Sequence, residues 1–133
     1  MPNVFMLDTD VCSYIIRKKP KELENVFISH QDDVICMSVI TYAALQYGVL
    51  NKQSARLKQQ VDDFISLIKV IDWTDATARR YAEIRHHLTK TGRTIGNMDI
   101  LIAAAALAMN AQLVTNNKKH FSGVPGLQIA DWL

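Results

Sequence analysis

A four-residue apolar run, Val4-Phe5-Met6-Leu7, stops at two acids one residue apart, Asp8 and Asp10. Unbroken apolar character over so short a run fits a strand buried on both faces, as in the middle of a parallel sheet. Parallel neighbours need crossover connections, so such a strand commits the chain to alternating strands and helices. It also puts Asp8 at the strand's carboxyl end, where open parallel sheets bind ligands. The competing reading is that Asp8 or Asp10 only caps the helix that follows.

The remaining pattern meets that demand. Val11, Tyr14, Ile15 and Lys18 recur at helical spacing over Val11 to Lys18, and Pro20 opens a second helix over Lys21 to Ser29. Val34-Ile35-Cys36-Met37 reads as a second buried strand, after which Ser38 caps a helix from Val39 to Val49 that closes near Gly48 and Asn51. Lys52 to Ile68 reads as one longer amphipathic helix, with Leu57, Val61, Phe64, Ile65 and Ile68 on its apolar side. Val70-Ile71 is a short third strand. Thr74 or Asp75 caps a helix to Thr91, with Ala78, Tyr81, Ala82, Ile84 and Leu88 as its apolar stripe and Gly92 as its stop. A basic loop, Gly92 to Gly96, leads to the most apolar helix, Met98 to Met109, capped by Asn97. Gln112 to Thr115 is a fourth strand, Lys118 to Phe121 a single helical turn, and Leu127 to Ile129 a last strand. The expected fold is α/β, with a mostly parallel central sheet and helices on both faces.

At 133 residues the chain forms one domain, 1–133, with enough length to bury a core unaided. A composition of 49% hydrophobic and 21% charged residues excludes disordered and fibrous classes, while a net charge of +2 neither demands nor forbids a nucleic-acid partner. Cys12 and Cys36 lack metal-binding spacing and read as small buried apolar residues. No secretory segment is evident, and the longest apolar run, Ile100 to Met109, is about half a membrane span, so a cytoplasmic protein without a membrane partner is expected.

Asp8 and Asn116-Asn117 fall at the ends of the first and fourth strands, and Asp99 lies in the first turn of the helix that feeds the fourth. If that helix runs antiparallel to its strand, all three converge at one edge of the sheet. Two carboxylates about 4 Å apart repel by roughly 4 kcal/mol at an effective dielectric of 20, so the cluster calls for a cation. Oxygen ligands without Cys or His favour Mg²⁺ or Mn²⁺, and phosphodiester hydrolysis is the natural chemistry. Arg93, Lys118 and Lys119 lie near this edge and are candidates for positioning phosphates. His30, His86, His87 and His120 are scattered; only His120 borders the expected pocket.

Four ordered stretches carry a resemblance: Phe5 to Asp10, Ser38 to Gly48, Ile95 to Ala104, and Val114 to Asn117. Together they resemble the motifs of PIN-domain ribonucleases, most closely the VapC-type toxins of bacterial toxin–antitoxin pairs. The resemblance spans essentially the whole chain. It implies a three-layer PIN-like sandwich, a Mg²⁺- or Mn²⁺-dependent endoribonuclease acting on structured RNA, commonly tRNA, a homodimer, and a VapB-type antitoxin. By position, Asp8 and Asp99 are the metal-binding acids, Asn117 belongs to the fourth motif, and Thr9, Thr115 and Asn116 are polar supports. The antitoxin tail is expected along the helices at Lys21 to Ser29 and Lys52 to Ile68.

The chain departs from that pattern at Ala44, where the family's second acid falls, although Thr41, Leu45 and Gly48 around it match. The helix is preserved but a carboxylate is lost, and impaired catalysis is expected. His120 stands where similar proteins often carry a further acid, and Ala105 where a histidine is common. Two other classes fit parts of the chain: a non-catalytic PIN module that grips its antitoxin, and a haloacid-dehalogenase-type phosphatase, whose nucleophile motif Asp8-Thr9-Asp10 imitates.

Overall fold

The computed structural model describes residues 3–133. Five strands form one sheet: β1 (Val4–Leu7), β2 (Val34–Ser38), β3 (Lys69–Ile71), β4 (Gln112–Val114) and β5 (Ile129–Ala130), in the order β3-β2-β1-β4-β5. Every pairing is parallel, more uniform than the mostly parallel sheet expected. β1 is central, with Met6 opposite Cys36 on one side and Leu113 on the other. Burial on both faces explains its unbroken apolar run.

Alternate residues of β1 feed two separate cores. Phe5 and Leu7 pack with Val11, Ile15, Leu23, Phe27, Val61 and Phe64 from α1 (Thr9–Arg17), α2 (Lys21–Ser29) and α4 (Ala55–Ile65). Met6 points the other way, into a core built by α5 (Asp75–Lys90) and α6 (Asn97–Ala108). Ala103, Ala104, Ala105 and Ala106 are all buried there, so α6 lies close against the sheet on side chains that cost no rotamer entropy. Ala105 is thus a packing residue. Cys12 and Cys36 are buried, and desolvation lifts both thiols, Cys36 to about 11 and Cys12 well above the usual range, which keeps them protonated and unreactive.

Several boundaries differ from expectation, each for a local reason. α1 begins at Thr9, because Asp8 takes the cap position and accepts from the Val11 amide. α3 (Val39–Lys52) runs through Gly48, around which there is open space, and ends where Gln53 turns left-handed at φ 51°. Ser54 then caps α4, so the single helix expected over Lys52 to Ile68 is α4 alone, ending at Ile65. In α5 the buried face is Thr77, Ile84 and Leu88, with Ala78 and Ala82 facing solvent. Gly96, not Asn97, precedes α6, without a side-chain cap. β5 lies beyond Leu127, and Val34 at the start of β2 is exposed. α7 is the single turn Lys118–Phe121. Among the described residues, no helix is long and apolar enough to cross a membrane.

Candidate active site

From β1 the chain adds β2 and β3 on one side, then returns to place β4 and β5 on the other. The crevice between the carboxyl ends of β1 and β4 is therefore a topological switch point, the place where such sheets bind ligands. Asp8 follows β1 there, and Thr115 follows β4.

Asp8 is 6% exposed and does two jobs. Its Oδ1 accepts from the Val11 amide at 2.8 Å, capping α1, and its carboxyl also bonds the Thr115 hydroxyl. Burial raises its pKa above the ordinary carboxylate value against those two hydrogen bonds, and the negative charges of Asp10 and Asp99 push it further the same way. Asp99 thus sits close enough to Asp8 for mutual repulsion. It lies in the first turn of α6, where the helix dipole favours an anion, and Gly96 leaves space beside its Oδ2.

Thr115 links both strand ends. Its Oγ1 accepts from the Asn117 amide at 3.0 Å while the same hydroxyl serves Asp8. Thr9 donates to Thr41 Oγ1 at 3.3 Å, and the Thr41 amide donates to Ser38 Oγ at 3.2 Å. This chain of hydroxyls fixes the start of α1 against the start of α3. Ala44 lies three residues beyond Thr41 on α3, half-buried and without a polar atom on its side chain.

The structure brings together some of the expected residues and separates others. Asn117, Arg93, Lys119 and His120 line one open depression of about 350 Å³. Arg93 donates to Ser122 Oγ at 3.1 Å and lies over Gly123, where a Cβ would come within 2.6 Å of its Nε. Lys118 does not line that depression and pairs instead with Asp131 at 3.4 Å. Asn116 is exposed. Asn117 precedes α7 without a side-chain cap bond.

His120 is the residue whose role the sequence understated. Its Nε2 lies 2.8 Å from Asp99 Oδ2, and its ring packs edge-on against Phe121. Its position immediately before a buried phenylalanine on the single turn after Asn117 was the available signal. His30 is also structural: it is stacked on Trp132 and bonded to Asp33.

Among the described residues, no three His, Cys, Asp or Glu side chains cluster as a metal cage. Asp8 and Asp99 face each other across the two strand ends, with Asp10 adding negative charge beside Asp8, and such repulsion is what a divalent cation relieves. A donor set of one or two carboxylates suits Mg²⁺ or a similar hard ion that retains most of its waters. The fit is to a water-rich ion, with Ala44 supplying nothing. A larger cavity, about 550 Å³ and lined by Phe27, Asp33 and Lys69, lies at the amino ends of β2 and β3, away from these acids. Concavity alone would have pointed there; the chemistry points to the switch point.

Comparison with known proteins gives a consistent picture. Residues 5–127 match the PIN domain family. The chain is 39% identical over 131 residues to ribonuclease VapC2 of Rickettsia felis, covering 97% of this chain and 98% of that protein. It is 36% identical to the tRNA(fMet)-specific endonuclease VapC of Shigella flexneri, covering 96% and 97%. Among solved structures, DNA-bound VapBC2 of Rickettsia felis superimposes with a TM-score of 0.90 at 37% identity, covering 98% of this chain and 99% of that one.

Proposed function

The chain belongs to the PIN-domain family, and from that premise we propose that it is the ribonuclease toxin of a VapBC-type toxin–antitoxin pair, with tRNA as its RNA target and catalysis impaired at Ala44. The observation that carries this reading is the convergence of Asp8, Thr115 and Asp99 at the switch point, on a chain similar end to end to named VapC ribonucleases. A phosphatase of the haloacid-dehalogenase type finds no support among these relatives.

Asp8 and Asp99 would hold a divalent cation, Mg²⁺ or Mn²⁺. When bound, such a cation supplies polarisation of a phosphoryl oxygen and activation of water. Asp8 is fixed for this by Val11 and Thr115, so its carboxylate needs no reordering when the substrate arrives. Asn117 donates to the attacking water or the phosphate, and its uncapped side chain is free to do so. Arg93 and Lys119 position the RNA backbone from the same depression, while Lys118 contributes less because Asp131 holds it. The antitoxin lies along α1, α2 and α4, where Ile28 and Leu67 are exposed beside a groove floored by Ile15, Phe27 and Phe64. Tyr47 and Leu50, exposed on α3, supply apolar surface for a homodimer.

A second reading, a PIN module that binds its antitoxin without cutting RNA, is favoured by Ala44 and by the engagement of Asp99 with His120. Cleavage of total bacterial RNA in Mg²⁺ or Mn²⁺ by this chain and its Ala44→Glu variant separates the two. The ribonuclease reading expects strong cleavage by the variant and weak or no cleavage by the parent. It also expects the variant to be the less stable in a chelator, through added repulsion. Absence of cleavage by both proteins with either ion transfers the assignment to the binding module.

A further inference from the structure

The groove between α1, α2 and α4 is not uniform along its length. At Gln60 it meets a second depression of about 440 Å³, lined by Arg17, Lys19 and Arg56 together with Ser54, Leu57 and Gln60. No carboxylate lines this depression, and among the described residues Arg17, Lys18, Lys19 and Arg56 form no ion pair. The contrast is Lys58, two residues further along α4, which Asp62 holds at 2.7 Å.

The placement of these cations is uneven in cost. Arg17 sits in the last turn of α1, where a helix dipole favours it; its Nε donates to the Ser13 carbonyl and its guanidinium lies 5.4 Å from the centre of the Tyr14 ring. Arg56 is the second residue of α4, at the positive end of that helix, where a cation is disfavoured. Three like charges without a carboxylate partner among the described residues, one of them against its own helix dipole, make a surface whose missing component is an anion.

We propose that this cluster receives an acidic stretch of the antitoxin segment that fills the adjoining groove; the inference rests on the antitoxin reading above and adds to it the charge and direction of the bound segment. Continuity selects a peptide over a nucleic acid. The two depressions share Gln60, Leu57 extends the apolar lining into the basic one, and exposed Ile28 and Leu67 offer nothing to a phosphate backbone. The cations closest to the catalytic acids, Arg93 and Lys119, belong to a separate depression with Asn117. Because the positive charge lies at one end of the groove, acidic residues on one side of the apolar anchors fix which way the segment runs.

The test uses the full chain and the antitoxin encoded beside it, titrated by fluorescence anisotropy at about 0.05 M and about 0.3 M salt, with total tRNA as the competing probe. The double variant Arg17→Glu/Arg56→Glu, checked for an unchanged melting curve, should bind the antitoxin roughly tenfold more weakly at low salt and lose most of the salt dependence. The milder Arg17→Gln/Arg56→Gln should fall between, and Ile28→Glu in the groove should weaken binding about equally at both salt levels. Unchanged antitoxin affinity and salt dependence in the double variant overturns the proposal. So does a double variant that loses tRNA binding alone, which assigns the patch to RNA. An antitoxin that fails to bind even the parent chain overturns the antitoxin reading itself, and this proposal with it.

Discussion

Two strand ends meet at the switch point, and they are built to opposite specifications. After β1, Asp8 is buried, caps a nine-residue helix, and has its carboxyl held by Val11 and Thr115. After β4, Asn117 is exposed, precedes a four-residue turn, and makes no cap bond with its side chain. One end fixes a charge where water cannot relax it; the other keeps a polar group adaptable. A charge held in advance costs stability in the resting protein and saves reorganisation during chemistry. An exposed amide costs little and gives correspondingly little direction.

Thr115 ties the two ends together, so the sharpest way to break the comparison is Thr115→Val. The substitution keeps the shape, deletes the hydroxyl that serves both Asp8 and the Asn117 amide, and should destabilise the protein by about 1–2 kcal/mol in urea unfolding. It should also raise the Asp8 pKa further, readable by NMR titration of the side-chain carboxyl. An unperturbed Asp8 would mean that the threonine is mere packing.

Asp8→Asn gives a smaller change, of opposite sign. Burial raises the folded-state pKa above the unfolded value, so the group's contribution to stability is present in acid and lost as pH rises through the folded pKa. Asparagine caps a helix as well as aspartate does and carries no charge. The variant should therefore melt higher than the parent at neutral pH in a chelator, with the difference closing as pH falls toward the ordinary value of 3.8. A variant that is less stable at neutral pH would show that the carboxylate is compensated better than its surroundings indicate. Asn117→Ala should change stability least, within about 0.5 kcal/mol, as expected of an exposed side chain without a partner. In the Ala44→Glu background the same substitution should still slow RNA cleavage, which separates a chemical role from a structural one.

Much of this arrangement could be read from local sequence. The apolar run of β1 announced a central strand because both of its faces are covered. The boundaries of α2 followed from Pro20 and the spacing of Leu23 and Phe27. That Asp8, Asp99 and the end of β4 would meet was legible because strand ends and a helix start are local features that topology brings to one edge. The break between α3 and α4 was not, since Lys52, Gln53 and Ser54 contain neither Gly nor Pro, and Gln53 adopts its left-handed conformation only as part of the turn. The stripe of α5 was right at Tyr81, Ile84 and Leu88 but wrong at Ala78 and Ala82, because alanines fit either side of a helix, and it missed Thr77, which is buried where its hydroxyl can bond Thr74. His120 with Asp99 and Lys118 with Asp131 are contacts between distant segments, which periodicity does not encode.

The position of β1 also sets the order in which the parts of the candidate site come into being during synthesis. The earliest strand to leave the ribosome occupies the middle of the sheet, and its partner β4 is nearly the last. At roughly 5–20 residues per second, about 5–20 s separate the emergence of Asp8 from that of Thr115 and its neighbours. Until residue 93 is made, the nascent chain carries Asp8 without Arg93, Asp99 or Asn117, while α1, α2 and, from residue 65 on, α4 have already been synthesised. The surface proposed for a partner is thus complete before the candidate site is.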